Sequence, residues 1–212
     1  GGSREYLTPL TQRFADNIRT RMPVAKILRP PGKPVVVHFT NGVVREFDEV
    51  VVATHSDDAL AVLGDATQNE RSVLGALPYR DNEVILHTDT RLLPKAQRAW
   101  SSWNYRLKPG NGRATVTYNM NILQGLDAPE TFCVTLNDTA SINPHRILGR
   151  FNYAHPQFTV AGMQAQQRWE DINGYNGTWF CGAYWQNGFH EDGLSSGLRV
   201  AESLCAARQM AA

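Results

Sequence analysis

An excess of charge of either sign is the first thing missing from this sequence. Its 212 residues carry 21 Lys and Arg against 20 Asp and Glu, a formal net charge of +1. The two signs are mixed along the whole length, and neither basic runs nor RNP-like aromatic motifs occur. The footprint of a nucleic-acid binder is therefore absent. Cysteine is scarce, with only Cys133, Cys181 and Cys205. A sparse, odd set points to reduced thiols in a cytoplasmic protein rather than to a disulfide framework. Metal-type Cys/His spacing is lacking, and His190-Glu191 opens HEDGL rather than HExxH, which excludes the zinc-protease pattern. No apolar run approaches the roughly 20 residues of a membrane span, so no stable membrane anchor is expected. No leader-like start is visible either. The sequons Asn137-Asp138-Thr139 and Asn176-Gly177-Thr178 are accordingly read as chance, and a cytoplasmic location is expected.

What is present is ordinary globular material. An apolar fraction of 42% excludes disorder on composition, and the length suffices for one large domain or two small ones with a sizeable core.

Along the chain, Leu7, Leu10, Phe14 and Ile18 recur at steps of three and four, predicting an amphipathic helix packed on a sheet, with Ser3 as its cap. Residues 23–28 (PVAKIL), 34–39 (PVVVHF) and 43–47 (VVREF) predict a three-stranded antiparallel meander, its second turn a two-residue hairpin at Asn41-Gly42. Val50 to Ala53 form a continuous apolar run, the mark of a strand buried on both faces. It ends in Thr54-His55, after which Ser56 is expected to cap a short helix through Leu60. Ligands of open α/β sheets sit at the carboxyl ends of such strands. Thr67 to Glu70 form a capping box for a helix through Leu77.

The middle differs. Strand candidates at 83–89, 99–105, 114–120, 132–137 and 146–153 are separated by polar turns such as Lys108 to Gly112, predicting an antiparallel sheet of four or five strands in a second domain. Residues 158–172 read as a helix, and 178–185 as a strand returning to the first domain.

The most informative stretch is 180–204, FCGAYWQNGFHEDGLSSGLRVAESL. A short apolar strand leads through a glycine-rich turn into a helix with Leu194, Leu198, Ala201 and Leu204 on one stripe. Helix N-termini carry free N–H groups and partial positive charge, so anionic or carbonyl-bearing ligands bind there. Asp192 or Glu191 is read as the cap, which leaves the amides around Gly193, Leu194 and Ser195 facing a ligand. Gly197, one turn in, is read as a site of close helix packing. A glycine-rich turn with no ligand fits the same residues.

This stretch resembles the C-terminal flavin-contacting motif of the flavin-containing amine oxidase, protoporphyrinogen oxidase and phytoene desaturase superfamily. The family's G-x-x-S-G-x-x-A-A helix is matched by Gly193 to Ala201. Gly1-Gly2 with its Leu-rich helix is similar to the family's entry to the second FAD-domain segment. PVAKIL resembles the strand whose valine, here Val24, touches adenine through its backbone. FDEVVVATHSDDAL (47–60) resembles the strand that passes beside the cofactor. Among subfamilies the chain looks closest to bacterial predicted NAD/FAD-binding proteins. The resemblance implies an FAD cofactor and a small-molecule substrate. It implies Val24 at the adenine, Thr54 and His55 near the cofactor, and Gly182 by the pyrophosphate or ribityl chain. His190, Glu191, Asp192, Gly193 and Leu194 are implied at the pyrimidine edge of the flavin. The family's Glu or Asp after the first glycine is replaced by Ala183, a departure at the ribityl contact.

The strand–GxGxxG–helix turn that holds the pyrophosphate in such folds does not occur. Gly110-Asn111-Gly112 lacks the third glycine and the following helix. The chain therefore reads as the C-terminal half of a flavoprotein of mixed α+β and α/β class. Residues 1–60 and 165–212 form a partial, Rossmann-like FAD-binding domain. Residues 61–164 form an antiparallel-sheet substrate domain. Trp100, Trp103, Tyr105 and Tyr118, with Trp185 near the glycine turn, are read first as core or edge-strand packing and second as substrate contacts. No lysine falls in a strand matching the family's catalytic lysine, since Lys95 and Lys108 read as loop residues. An apolar or lipid-like substrate is thus as consistent as an amine. His87 reads as structural, Asn119 and Asn121 equally as turn or pocket residues, and no catalytic residue or metal ligand is assigned. A non-catalytic binding module, using the glycine-rich turn for a partner or small anion, is the alternative function.

Overall fold

The computed structural model describes residues 5–107 and 115–211. Gly1, Gly2, Ser3 and the turn Lys108 to Gly112 lie outside the described residues. The chain divides into two compact units, Ile18–Arg80 with Pro156–Ala212, and Gly1–Asn17 with Asp81–His155.

In the first of these units, β1 (Val24–Leu28), β2 (Val35–Phe39) and β3 (Val44–Phe47) form the expected antiparallel meander. Its second turn differs from expectation. Phe39 N–H donates to Val43 O, Gly42 N–H donates to Phe39 O, and Gly42 takes φ 84°. Three residues thus make the turn, with Gly42 left-handed, which suits the twist of the flanking strands better than two residues with Thr40 in the ladder. A separate parallel pair joins β4 (Val50–Val52) to β10 (Thr178–Phe180), with Val50, Val51 and Val52 opposite Thr178, Trp179 and Phe180. Only Val52 of this strand is buried, while Val51 is 44% exposed. The apolar run is therefore covered on one face rather than two.

Helix α2 (Ser56–Val62) begins one residue earlier than expected. His55 occupies the cap position without a side-chain bond, and the Ser56 hydroxyl donates instead to Leu77 O at 2.5 Å. Helix α3 (Gln68–Gly75) carries the predicted capping box, with Thr67 Oγ1 accepting from Glu70 N–H and Glu70 accepting from Thr67 N–H. Glu70 also pairs with the buried Arg29, which in turn holds Asp65 at 2.9 Å. Helix α5 (Val160–Gln166) is shorter than the expected 158–172 and runs on into a 3-10 turn at Trp169–Asp171. Helix α6 (His190–Ala211) closes the chain. The core here gathers Ile27, Val37, Val52, Leu74, Phe180 and Tyr184, among others.

The other unit is built on a sheet in the order β6-β7-β8-β5-β9: β5 (Tyr79–His87), β6 (Trp103–Arg106), β7 (Thr115–Asn119), β8 (Cys133–Leu136) and β9 (Ile147–Pro156). All five predicted strands form, and the pairs β5/β8, β7/β8 and β6/β7 are antiparallel. Asn119 and Asn121 have turn roles: Asn119 Oδ1 caps α4 (Met120–Gln124) at Ile122 N–H, and Asn121 Oδ1 accepts from Phe132 N–H. At the start of the chain, α1 (Leu7–Thr11) passes into a 3-10 turn (Gln12–Asn17), where Phe14 leaves helical geometry at φ −135°. That kink breaks the 3.6-residue period, and Leu7, Leu10, Phe14 and Ile18 are exposed rather than packed on a sheet.

Candidate functional site: the carboxyl ends of β4 and β10

Parallel pairing sends β4 and β10 out at the same edge. Cys181 N–H makes the last ladder bond, to Val52 O at 3.1 Å, and the next residues are Gly182 on one strand and Ala53-Thr54 on the other. A Cβ on Gly182 would stand 2.5 Å from the ring of Tyr184 and 3.5 Å from Thr54 O. Glycine is thus required because a buried tyrosine fills the space of a side chain. Gly182 N–H does not point outward. It donates to Ser196 Oγ at 2.6 Å. Cys181 is buried, and burial pushes its thiol pKa up, so it stays protonated.

Val24 and Thr54 line one apolar cavity of about 450 Å³, together with Ile27, Val51, Val52 and Asp58. A larger, more polar hollow of about 520 Å³ lies between Thr67–Glu70 and Asp171–Asn176, away from the strand ends. Val24 and Thr54 thus share a cavity wall, Thr54 O lies 3.5 Å from where a Gly182 Cβ would stand, and Gly182 is bonded to Ser196 of α6.

The start of α6 corrects the sequence-based expectation in two ways. The helix begins at His190, so Gly193 N–H already donates to Phe189 O, and Leu194 and Ser195 lie inside the helix. The unpaired amides of the first turn are those of His190, Glu191 and Asp192. The buried stripe also differs. Leu194 and Leu198 are 57% and 54% exposed, whereas Asp192, Ser196 and Val200 are buried. The Asp192 carboxylate accepts from Asn187 N–H and Phe189 N–H through Oδ2, at 3.2 and 2.8 Å, so it turns inward to hold the glycine turn. His190 and Glu191 are exposed. A Cβ on Gly197 would meet nothing within 4 Å, and one on Gly193 only Ala183, at 3.9 Å. Instead of packing closely, this glycine face of the helix is open.

His55 is exposed and stacks on Tyr79, ring centroids 4.0 Å apart and planes 13° from parallel. Burial, then Asp57 and Asp58, push the Tyr79 hydroxyl up to about 12, so it remains a donor. His55, Asp57 and Asp58 bring their ligand atoms within 4.8 Å of one another, all three exposed. Of the aromatics, Trp185 is buried, Trp100 donates from Nε1 to Pro94 O, and Trp103 and Tyr105 are 61% and 55% exposed on β6. Lys95 lies outside the strands. His87 is fully buried and structural. Its Nδ1 accepts from Asp89 N–H, so Nε2 carries the proton and donates to Thr135 Oγ1 at 2.8 Å. Two residues at the site were not anticipated: Ser196 and Asn173, whose Oδ1 accepts from Phe180 N–H at 2.6 Å. For Ser196 the visible signals were its place in the G-x-x-S-G match and its i, i+4, i+8 spacing with Asp192 and Val200; Asn173 had none.

With that geometry in place, the comparisons with known proteins decide the family. The model of flavin-containing amine oxidoreductases matches residues 1–205. The chain belongs to that family. The sequence matches no curated protein. Among solved structures, a CLA-producing fatty acid isomerase from P. acnes is similar at 17% identity and TM-score 0.57, over 84% of this chain and 46% of that one. Two putrescine oxidase variants redesigned in cofactor binding are similar at 9% and 11% identity. A triple mutant gives TM-score 0.61 over 95% of this chain and 53% of its own, and a double mutant 0.64 over 97% and 53%. At these identities the likeness is one of fold, the mixed helix and antiparallel-sheet architecture described above. The chain of this amine oxidoreductase family member spans about half the length of the structures it matches. Among the described residues no helix is long and apolar enough to cross a membrane.

Proposed function

We propose that this chain supplies the flavin-contacting wall of an FAD-dependent oxidoreductase that oxidises an amine or an apolar, lipid-like substrate. The observation that carries this reading is the continuity of the contact segments. Val24 and Thr54 share one cavity, Thr54 meets Gly182, and Gly182 is bonded to α6. The residues suit the group. The apolar cavity accepts a flat ring, the open face at Gly193 and Gly197 leaves room for a bulky one, and three unpaired amides begin a 22-residue helix.

Bound flavin would accept the equivalent of a hydride, which is chemistry the cofactor itself carries. The chain's own residues bind and orient. Val24 and its neighbours on the cavity wall hold the adenine end. Gly182 leaves room for the Tyr184 ring beside Thr54. The amides of His190, Glu191 and Asp192, at the positive end of α6, favour negative charge developing next to them. Asp192 contributes its backbone amide there, while its Oδ2 holds the loop. The exposed Trp103 and Tyr105 belong to the substrate side, and among the described residues no lysine falls in the strands of the five-stranded sheet, which keeps apolar substrates beside amines. The sequence has no glycine-rich strand-to-helix loop for the pyrophosphate, so the 212-residue chain by itself is expected to bind flavin weakly and to be inactive.

Flavin released by denaturing the purified native gene product tests the reading. About one FAD per chain is expected, and Gly193→Trp should lower that content severalfold. Native gene product without flavin would overturn the function; unchanged content in Gly193→Trp would remove the α6 contact. Stoichiometric flavin on the 212-residue chain alone would overturn the weak-binding expectation.

A further inference from the structure

We infer that Ser196 is a positioning residue: through Gly182 it sets where the end of β10 stands against α6, and so shapes the flavin-facing wall without touching the cofactor. The inference rests on the flavin reading above and adds a role that the motif alone does not assign.

Ser196 lies two turns into α6, on the buried stripe, and is 4% exposed. A buried helical serine ordinarily bonds back to a carbonyl of its own helix. Here its oxygen is instead used across 14 residues, accepting from Gly182 N–H at 2.6 Å. The position of that bond in the chain gives it its consequence. Cys181 N–H closes the β4/β10 ladder at Val52 O, and Gly182 N–H is the first donor beyond it. Gly182 N–H points away from β4, to the edge where Asn173 Oδ1 takes Phe180 N–H, and Ser196 Oγ is its acceptor there, so strand and helix are tied at the residue where the strand ends.

The neighbouring contacts crowd Gly182. Tyr184 occupies the space of its side chain, with Thr54 O on the next strand end close by. Asp192, one turn before Ser196, holds the far side of the same loop through Asn187 and Phe189. The two side chains therefore bracket the loop, one at each end, from a single helix face. One chemical consequence follows. The Gly182 amide is already committed, so whatever meets this residue meets its bare Cα and carbonyl and receives no hydrogen bond from its N–H.

The test pairs Ser196→Ala, which removes the acceptor, with Ser196→Thr, which keeps it. In the 212-residue chain, amide exchange is read at Gly182, with Phe180, held by Asn173, as the internal reference. Exchange at Gly182 is expected to speed up at least tenfold in Ser196→Ala, to be restored in Ser196→Thr, and to stay unchanged at Phe180. In the native gene product, FAD affinity should weaken about tenfold in Ser196→Ala, the effect of one lost hydrogen bond. The flavin absorption spectrum and midpoint potential should shift, and Ser196→Thr should recover all three. Wild-type exchange at Gly182 in Ser196→Ala overturns the inference, as does unchanged affinity and spectrum when the wild type binds flavin. A wild type that binds no flavin overturns the functional reading itself, and exchange at Gly182 then shows whether the Ser196 link is nonetheless real.

Discussion

The interior of the five-stranded sheet and the loop at the candidate site both bury polar side chains, but to different ends. In the five-stranded sheet, buried polar groups bond to one another across strands. His87 Nε2 donates to Thr135 Oγ1, and Thr135 shares a 2.9 Å bond with Thr117 Oγ1. In the unit carrying the candidate site, Ser196, Asp192 and Asn173 each bond to backbone amides where the chain reverses or leaves a strand. Side chains bonded to each other hold a sheet whose backbone is already satisfied by its ladder. Side chains bonded to amides hold a loop that has no ladder. Buried polarity of the second kind marks where a fold fixes an irregular segment, and at a ligand wall that segment is the one whose position matters.

The contrast breaks most readily at Gly182. Gly182→Ala forces a methyl into the ring of the buried Tyr184, and we expect a loss of about 3 kcal/mol in urea unfolding. A loss under about 1 kcal/mol would mean that Tyr184 moves freely and that the strand end is not fixed.

In the sheet, Thr135→Val keeps the shape but strands the Nε2–H of His87 and weakens the bond to Thr117. About 1–3 kcal/mol should be lost, measured in the same way. If no loss appears, the chain of bonds adds nothing to the ladder.

His87 also gives the sheet a pH dependence. Burial lowers its pKa from 6.5, against the opposing effect of Asp89, so the folded protein holds it neutral while the unfolded chain takes up a proton. Stability from this residue is complete above 6.5 and declines as pH falls from there toward the lowered folded value. His87→Gln should flatten that part of the stability profile, and an unchanged slope would assign it elsewhere. Arg91 first, then backbone amides, hold the Asp89 carboxyl well below its usual range, so its own contribution is lost only in stronger acid.

The smallest effect is expected at Val51. Its neighbour Val52 is in the core, yet Val51 is 44% exposed, and Val51→Ala should change stability by no more than about 0.5 kcal/mol in this chain. A larger loss would mean that the outer face of β4 is covered.

Local signals were legible where the local chain decides the outcome. The capping box at Thr67 to Glu70 formed as read, because both partners lie within one helical turn. The five strands of the sheet and the three of the meander followed from apolar, β-branched runs between turn residues. Less of the site was legible. Val24, Thr54 and Gly182 fall in one connected region, but the amides assigned to Gly193, Leu194 and Ser195 are inside the helix, and the Asp192 carboxylate faces the loop.

The amino-acid sequence by itself determined the elements, their order and the glycine-rich strand-to-helix unit, since each rests on propensities and contacts among residues near in the chain. Only the tertiary structure decided which way α6 turns. Hydrophobic periodicity favoured Leu194 and Leu198 as the inner face, yet Asp192, Ser196 and Val200 are the residues inside. Three amides, those of Gly182, Asn187 and Phe189, have no ladder partner, and the inward face of α6 supplies their acceptors through Ser196 and Asp192. Which amides lack partners is settled only once strand, loop and helix meet.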